Sequence, residues 1–114
     1  MKIPEHLKIG GLIYDIHFRD RMTSGYRTGG EIFYGDCCVE INNDMSKRYK
    51  EQTFIHEMCH AIMHQIGRDD LKDDEAFINQ LANTLYGIVV DNPGIFHEIY
   101  DTEPAQRIKG EGCV

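Results

Sequence analysis

One stretch constrains this chain more than any other. Residues 53–66 read TFIHEMCHAIMHQI and contain His56-Glu57-Met58-Cys59-His60, the pattern H-E-x-x-H. On a helix, side chains four apart lie on one face, one turn apart. His56 and His60 can therefore offer two imidazoles to one metal ion. Glu57 sits about 100° further round the axis, so it does not join that pair. Its side chain can instead reach past the ion to a water. With His56 at the zero of the helical wheel, His60 falls at about 40° and His64 at about 80°. Ile55, Met58, Ile62 and Ile66 spread over the opposite side. The pattern predicts a helix with a buried apolar face and a polar stripe opposite.

The remainder of the chain narrows the setting. Its 114 residues suit one domain with a modest core, so we expect a single domain over 1–114. A formal charge of −7 gives no general attraction to nucleic acid or anionic lipid. The one basic cluster, Lys47-Arg48-Tyr49-Lys50, reads as a solvated helix start. No run reaches transmembrane length, and the first ten residues lack the apolar region of a signal peptide. The four cysteines, Cys37, Cys38, Cys59 and Cys113, form no C-x-x-C pair. A disulfide scaffold or four-thiolate site is not expected, and a cytoplasmic protein with reduced thiols is.

Taken in order, residues 1–8 read as a short polar lead-in. Leu12, Tyr14, Ile16 and Phe18 alternate with Ile13, Asp15 and His17, which predicts a half-buried strand with an irregularity at Gly10-Gly11. Residues 19–30 read as a polar, glycine-bearing connection. Strands are expected over 31–34 and 37–42, joined by a turn at Gly35-Asp36. Asp44 or Ser46 can cap the metal helix, which should begin between Lys47 and Gln52 and stop at Gly67. After a link over 68–72, Asp73 or Asp74 can cap a second helix from Glu75 to Val89 or Val90. Phe77, Leu81, Leu85 and Ile88 form its main apolar side, and Asn92-Pro93-Gly94 ends it. Residues 95–100 suit a short strand or helical turn, and residues 101–114 a loose tail.

Three protein ligands and one open position are usual for a catalytic zinc site. His64 lies about 12 Å along the axis from His56, too far to share its ion. Cys59 lies nearer the apolar side. Met63 and Ile66 stand where a metzincin extension needs glycine and histidine. Glu75 is the best third candidate, because it opens a helix that a short link can fold back across the first. Asp73 and Asp74 are fallbacks and His97 a distant one. Asn79 and Ala82 share the Glu75 face. Ala82 allows close helix approach, and Asn79 can hydrogen-bond to backbone or to a histidine ring.

The segments EQTFIHEMCHAIMH and DEAFINQLANTL together resemble the small ImmA/IrrE-like metallopeptidases, particularly the short phage and mobile-element members. In that group an acid opens the helix after H-E-x-x-H, with Asn four and Ala seven residues later. Glu75, Asn79 and Ala82 match, and GEIFYGDCCVEINND is similar to the group's strand pair. The resemblance spans about residues 9–93. It implies an α+β, minimal zincin-like fold, with a three-stranded or larger mixed sheet beside two main helices and an edge strand that holds extended substrate. It also implies zinc on His56, His60 and Glu75, with Glu57 as general base and Asn79 behind the ligands. The expected activity is peptide-bond hydrolysis on a peptide or protein substrate, such as a phage or mobile-element regulator. Unlike larger relatives that cleave repressors, the chain has no helix-turn-helix or sensor domain. Tyr86, Tyr34, Tyr26 and His97 are candidate oxyanion donors. The substrate backbone is expected beside residues 37–42. The competing expectation is a non-enzymatic zinc protein that acts by binding a partner.

Overall fold

The structure is a computed structural model that describes residues 1–20 and 29–95. The elements are β1 (His6–Ile9), β2 (Leu12–Arg19), β3 (Gly30–Phe33), β4 (Cys38–Asn42), α1 (Lys47–Gln65), α2 (Asp69–Lys72) and α3 (Glu75–Asp91). The strands form one mixed sheet in the order β1-β2-β4-β3. β2 and β4 run parallel, and β1 and β3 flank them antiparallel. The expected α+β architecture, a mixed sheet beside two main helices, is what the chain adopts. Tyr26, His97, Cys113, the element expected over 95–100 beyond Ile95, and the tail over 101–114 lie outside the described residues.

Two local readings change. Residues 6–9 are a strand rather than part of a lead-in, and Gly10-Gly11 is a turn. Ile9 pairs with Leu12, and both glycines have positive φ, +56° and +86°. A two-residue hairpin of this hand needs the left-handed region at both central positions, where glycine carries no steric cost. The β3–β4 connection is also wider than a Gly35-Asp36 turn. Cys37 has left the strand, with φ +50° and its N–H donating to the Tyr34 carbonyl at 3.3 Å.

Strand order corrects the expected substrate position. β4 is flanked by β2 and β3, so both its backbone edges are used within the sheet. A peptide cannot add beside 38–42, and among the described residues β1 and β3 are the outer strands.

The core lies between the sheet and the helices. Tyr14 and Ile16 of β2 and Val39 and Ile41 of β4 meet Phe54, Ile55, Cys59, Ala61 and Met63 of α1. Burial of a side chain such as Ile41, fully hidden from solvent, contributes about 1.5–3 kcal/mol. Leu12 and Phe18 share the inward alternation but stay exposed at the strand ends. The α1 pattern also differs from a single apolar stripe. Met58 and Ile62 are half-buried and Ile66 is exposed, whereas Thr53, Glu57 and His60 are buried. α1 contacts the sheet, α2 and α3 together, so it is covered on several sides. α3 docks through Ile78 and Ala82, its two buried residues, while Phe77, Leu81 and Leu85 of the expected apolar side pack partly against the same core and Ile88 is exposed. No helix among the described residues is long and apolar enough to cross a membrane.

Candidate metal centre

Local capping sets the two helices that build the site. The Ser46 hydroxyl caps α1 by accepting from the Tyr49 N–H at 3.3 Å. Gly67, at φ +77°, ends the helix, with the Arg68 N–H donating back to the Met63 carbonyl at 3.0 Å. The Asp74 carboxylate caps α3 by accepting from the Phe77 N–H at 3.1 Å. That cap fixes the backbone one residue before Glu75. The single turn of α2 bridges the two helices and folds α3 back along α1, as the short link predicted.

The outcome is a convergence of three side chains. The Nε2 atoms of His56 and His60 lie 3.2 Å apart. One Glu75 oxygen lies 3.2 Å from His56 Nε2, and the other lies 2.9 Å from His60 Nε2. His56, Glu57 and His60 also offer ligand atoms within 4.8 Å of one another. His60 is 7% exposed and Glu57 5%, while the Glu75 side chain is 62% exposed. The centre is therefore walled by α1 and open to solvent on the α3 side.

The chemistry of these donors fits a cation. His60 Nδ1 lies 2.8 Å from the Lys72 carbonyl oxygen. A carbonyl only accepts, so Nδ1 carries a proton and Nε2 is the ring atom left to serve a metal. Nε2 faces a second imidazole nitrogen and a carboxylate oxygen. Ligands about 2.05 Å from one tetrahedral zinc are about 3.3 Å apart, close to the spacings seen here. The protein thus carries an H-E-x-x-H-type cluster able to hold a metal ion.

Burial above all, then the nearby Glu75 and Glu31, pushes the Glu57 carboxyl up to about 8. A bound cation would act in the opposite direction. His56 is lowered by burial and by His60, against the pull of the Glu75 carboxylate and a side-chain hydrogen bond with Asn79. Asn79 and His56 line the same cleft.

Two clefts meet at the centre. One, of about 440 Å³, is lined by Gly30, Glu31, Ile32 and Tyr34 on the sheet side and by Lys72 and Asp73 on the other. The second, of about 350 Å³, runs between α1 and α3 past Gln52, Asn79 and Asn83. Both reach His56 and Glu75. Tyr34 lines the first cleft, and burial followed by the charge of Glu57 raises its pKa, so the phenol keeps its proton. Tyr86 is a correction. Its hydroxyl donates to Glu51 at 2.9 Å, and it lines a separate cleft with Val89 and Pro93. Committed to a buried carboxylate there, it is not an oxyanion donor for this centre. Asp73 lines the cleft and Asp74 is occupied as a cap.

Sequence reasoning missed the Lys72 carbonyl, which any residue type could supply, so no side-chain signal marks it. It also missed the stacking of His64 on Tyr34, with ring centroids 4.3 Å apart. The chain is an α+β protein with an H-E-x-x-H-type metal-binding cluster between its sheet and two helices. No family model, curated protein or solved structure matches it.

Proposed function

We propose that the chain is a zinc metallopeptidase of the ImmA/IrrE-like type that hydrolyses a peptide or protein substrate. The observation that carries this reading is the approach of Glu75 to both imidazole Nε2 atoms, at 3.2 and 2.9 Å. It supports His56, His60 and Glu75 as the ligand set, with Asn79 and the Lys72 carbonyl orienting the rings. Glu57 is close enough to count among the potential donors. The shorter Glu75 contacts favour Glu75 as the ligand and leave Glu57 for proton transfer.

Zinc bound there would supply Lewis acidity, lowering the pKa of a water and polarising a carbonyl. The chain supplies the remainder. Glu57, in its buried position beside His56, accepts the proton of the attacking water and returns it to the leaving amine. The Tyr34 hydroxyl, protonated on the cleft wall, is the donor available to a developing oxyanion. Gly30, Glu31 and Ile32 of β3 line the cleft that reaches the cluster, so an extended substrate would lie in that cleft. Charge and cysteine usage favour a protein partner in the cytoplasm over nucleic acid or membrane.

Elemental analysis of purified wild type beside Glu75→Ala and His60→Ala tests the ligand set. One zinc in wild type, sharply reduced in both variants, is the expected result. Full zinc in Glu75→Ala would move the third ligand elsewhere. Zinc in wild type with no cleavage of a proteome-derived peptide library would favour a zinc protein that acts by binding a partner.

A further inference from the structure

His64 lies on the polar stripe of α1 but too far along the axis to join the centre, and the function above leaves it idle. Its surroundings are specific. The ring stacks on Tyr34, with centroids 4.3 Å apart and an interplanar angle of 23°. The Lys72 ammonium sits 3.4 Å from His64 Nδ1, 4.9 Å from the Tyr34 ring centroid and 3.4 Å from an Asp69 carboxylate oxygen. One cation is thus held by an aromatic face, an imidazole nitrogen and a carboxylate. These come from the β3–β4 connection, the last turn of α1, and α2. The Lys72 side chain is 16% exposed.

The same residue holds His60. At the end of a one-turn helix the last carbonyls lack intrahelical partners. The Lys72 carbonyl is taken by His60 Nδ1 at 2.8 Å. α2 buries none of its residues, and Leu71 is only partly covered by the core. The groups around the Lys72 ammonium therefore add side-chain contacts between this short turn, α1 and the β3–β4 connection.

We propose that His64 is a positioning residue for the metal centre, acting through Lys72. The Tyr34–His64 stack and the His64 Nδ1 lone pair fix the Lys72 side chain. The fixed residue then presents its carbonyl to His60, which sets the ring's tautomer and aims Nε2 at His56 and Glu75. The inference rests on His56 and His60 being ligands, and its test separates the two ideas.

Zinc affinity is measured by competition with a chromophoric chelator for wild type, His64→Ala, His64→Phe and Lys72→Met. His17→Ala, on the exposed face of β2, is the control. Nitrogen-15 spectra of the imidazoles are recorded with and without zinc. In wild type, His60 shows the Nδ1-protonated tautomer in both states. His64→Ala and Lys72→Met each weaken zinc binding by about tenfold, the scale of losing a group behind a ligand. The double variant loses little more, because both act through one carbonyl. His64→Phe, which keeps a ring against Tyr34, recovers part of the loss, and His17→Ala matches wild type. A folded His64→Ala protein with unchanged zinc affinity and an unchanged His60 tautomer overturns the proposal. If His64→Ala does not fold, Lys72→Met decides by the same two readouts, since it keeps both the carbonyl and the aliphatic stem. If wild type takes no zinc, the metallopeptidase reading fails, and the metal-free His60 tautomer in the variants still decides the inference.

Discussion

Gly30 lies so close to Thr53 that a Cβ added at Gly30 would come within 2.6 Å of Thr53 Cγ2 and 3.0 Å of the Glu40 carbonyl oxygen. Glu57 Oε2 would be next, at 3.7 Å. The first residue of β3 is thus pressed against the helix that carries the metal cluster, one turn before Glu57. Gly30→Ala should destabilise the protein by about 1–3 kcal/mol, the usual scale of overpacking. The expected reading is a lower urea midpoint at unchanged slope. Thr53→Ser, which removes the clashing methyl group, should restore most of the loss in the double variant. No recovery would mean that the Glu40 backbone contact dominates.

Glu57 and Glu75 should separate by experiment. Glu57→Gln keeps the size of the side chain and removes the base, so zinc content should stay at the wild-type level. Cleavage of a peptide substrate should fall by about 10²–10⁴-fold, the scale of general-base catalysis. Equal loss of zinc in Glu57→Gln and Glu75→Ala would show that both carboxylates act as ligands.

The two helices that carry these residues were legible because H-E-x-x-H spacing is a helical property, and Ser46, Gly67 and Asp74 mark helix ends by local chemistry. The sheet was less legible. β1 carries two apolar residues, Leu7 and Ile9, too few for a periodic signal, and its turn is recognised only once Ile9 is paired with Leu12. The place of β4 between β2 and β3 is a long-range relation that no local pattern encodes. On α1, periodicity pointed to Ile55, Met58, Ile62 and Ile66 as the buried back. Ile55 is buried and Met58 and Ile62 pack partly against the core, Ile66 is exposed, and cover on several sides adds Phe54, Cys59, Ala61 and Met63.

Half-buried Tyr86 and buried Glu51 pair away from the metal cluster. Glu51 is 5% exposed, and the terminal ammonium of Met1 lies 3.7 Å from its other oxygen. Tyr86→Phe removes one donor from a buried carboxylate and should cost about 1–3 kcal/mol. Thermal or urea unfolding of Tyr86→Phe, Glu51→Gln and the double variant checks this. A coupling energy near zero would mean that the hydroxyl hydrogen bond contributes nothing net.

Asp74→Ala should act on stability and on the site together. Loss of an N-cap costs about 1 kcal/mol. The next residue is Glu75, so fraying there should also weaken zinc binding, read by the same chelator competition. Asp74→Ser, which restores a capping oxygen, should recover both quantities. Recovery of stability without recovery of zinc binding would show that the Asp74 charge, rather than its cap, matters to the centre.

The strand order carries a consequence for how the chain reaches this state. β1–β2 and β3–β4 are each hairpins of neighbouring segments, so each can zip up early at little loop-closure cost. Their union is the parallel register in which Asp15 meets Cys38 and Phe18 meets Ile41. That register requires a large loop to close first, and non-local pairing of this kind sets the pace of folding. The two hairpins are therefore ready-made parts, and the seam between β2 and β4 is the late assembly step. Until it closes, Val39 and Ile41 lack their β2 neighbours, and the sheet side of the metal cleft has no backing.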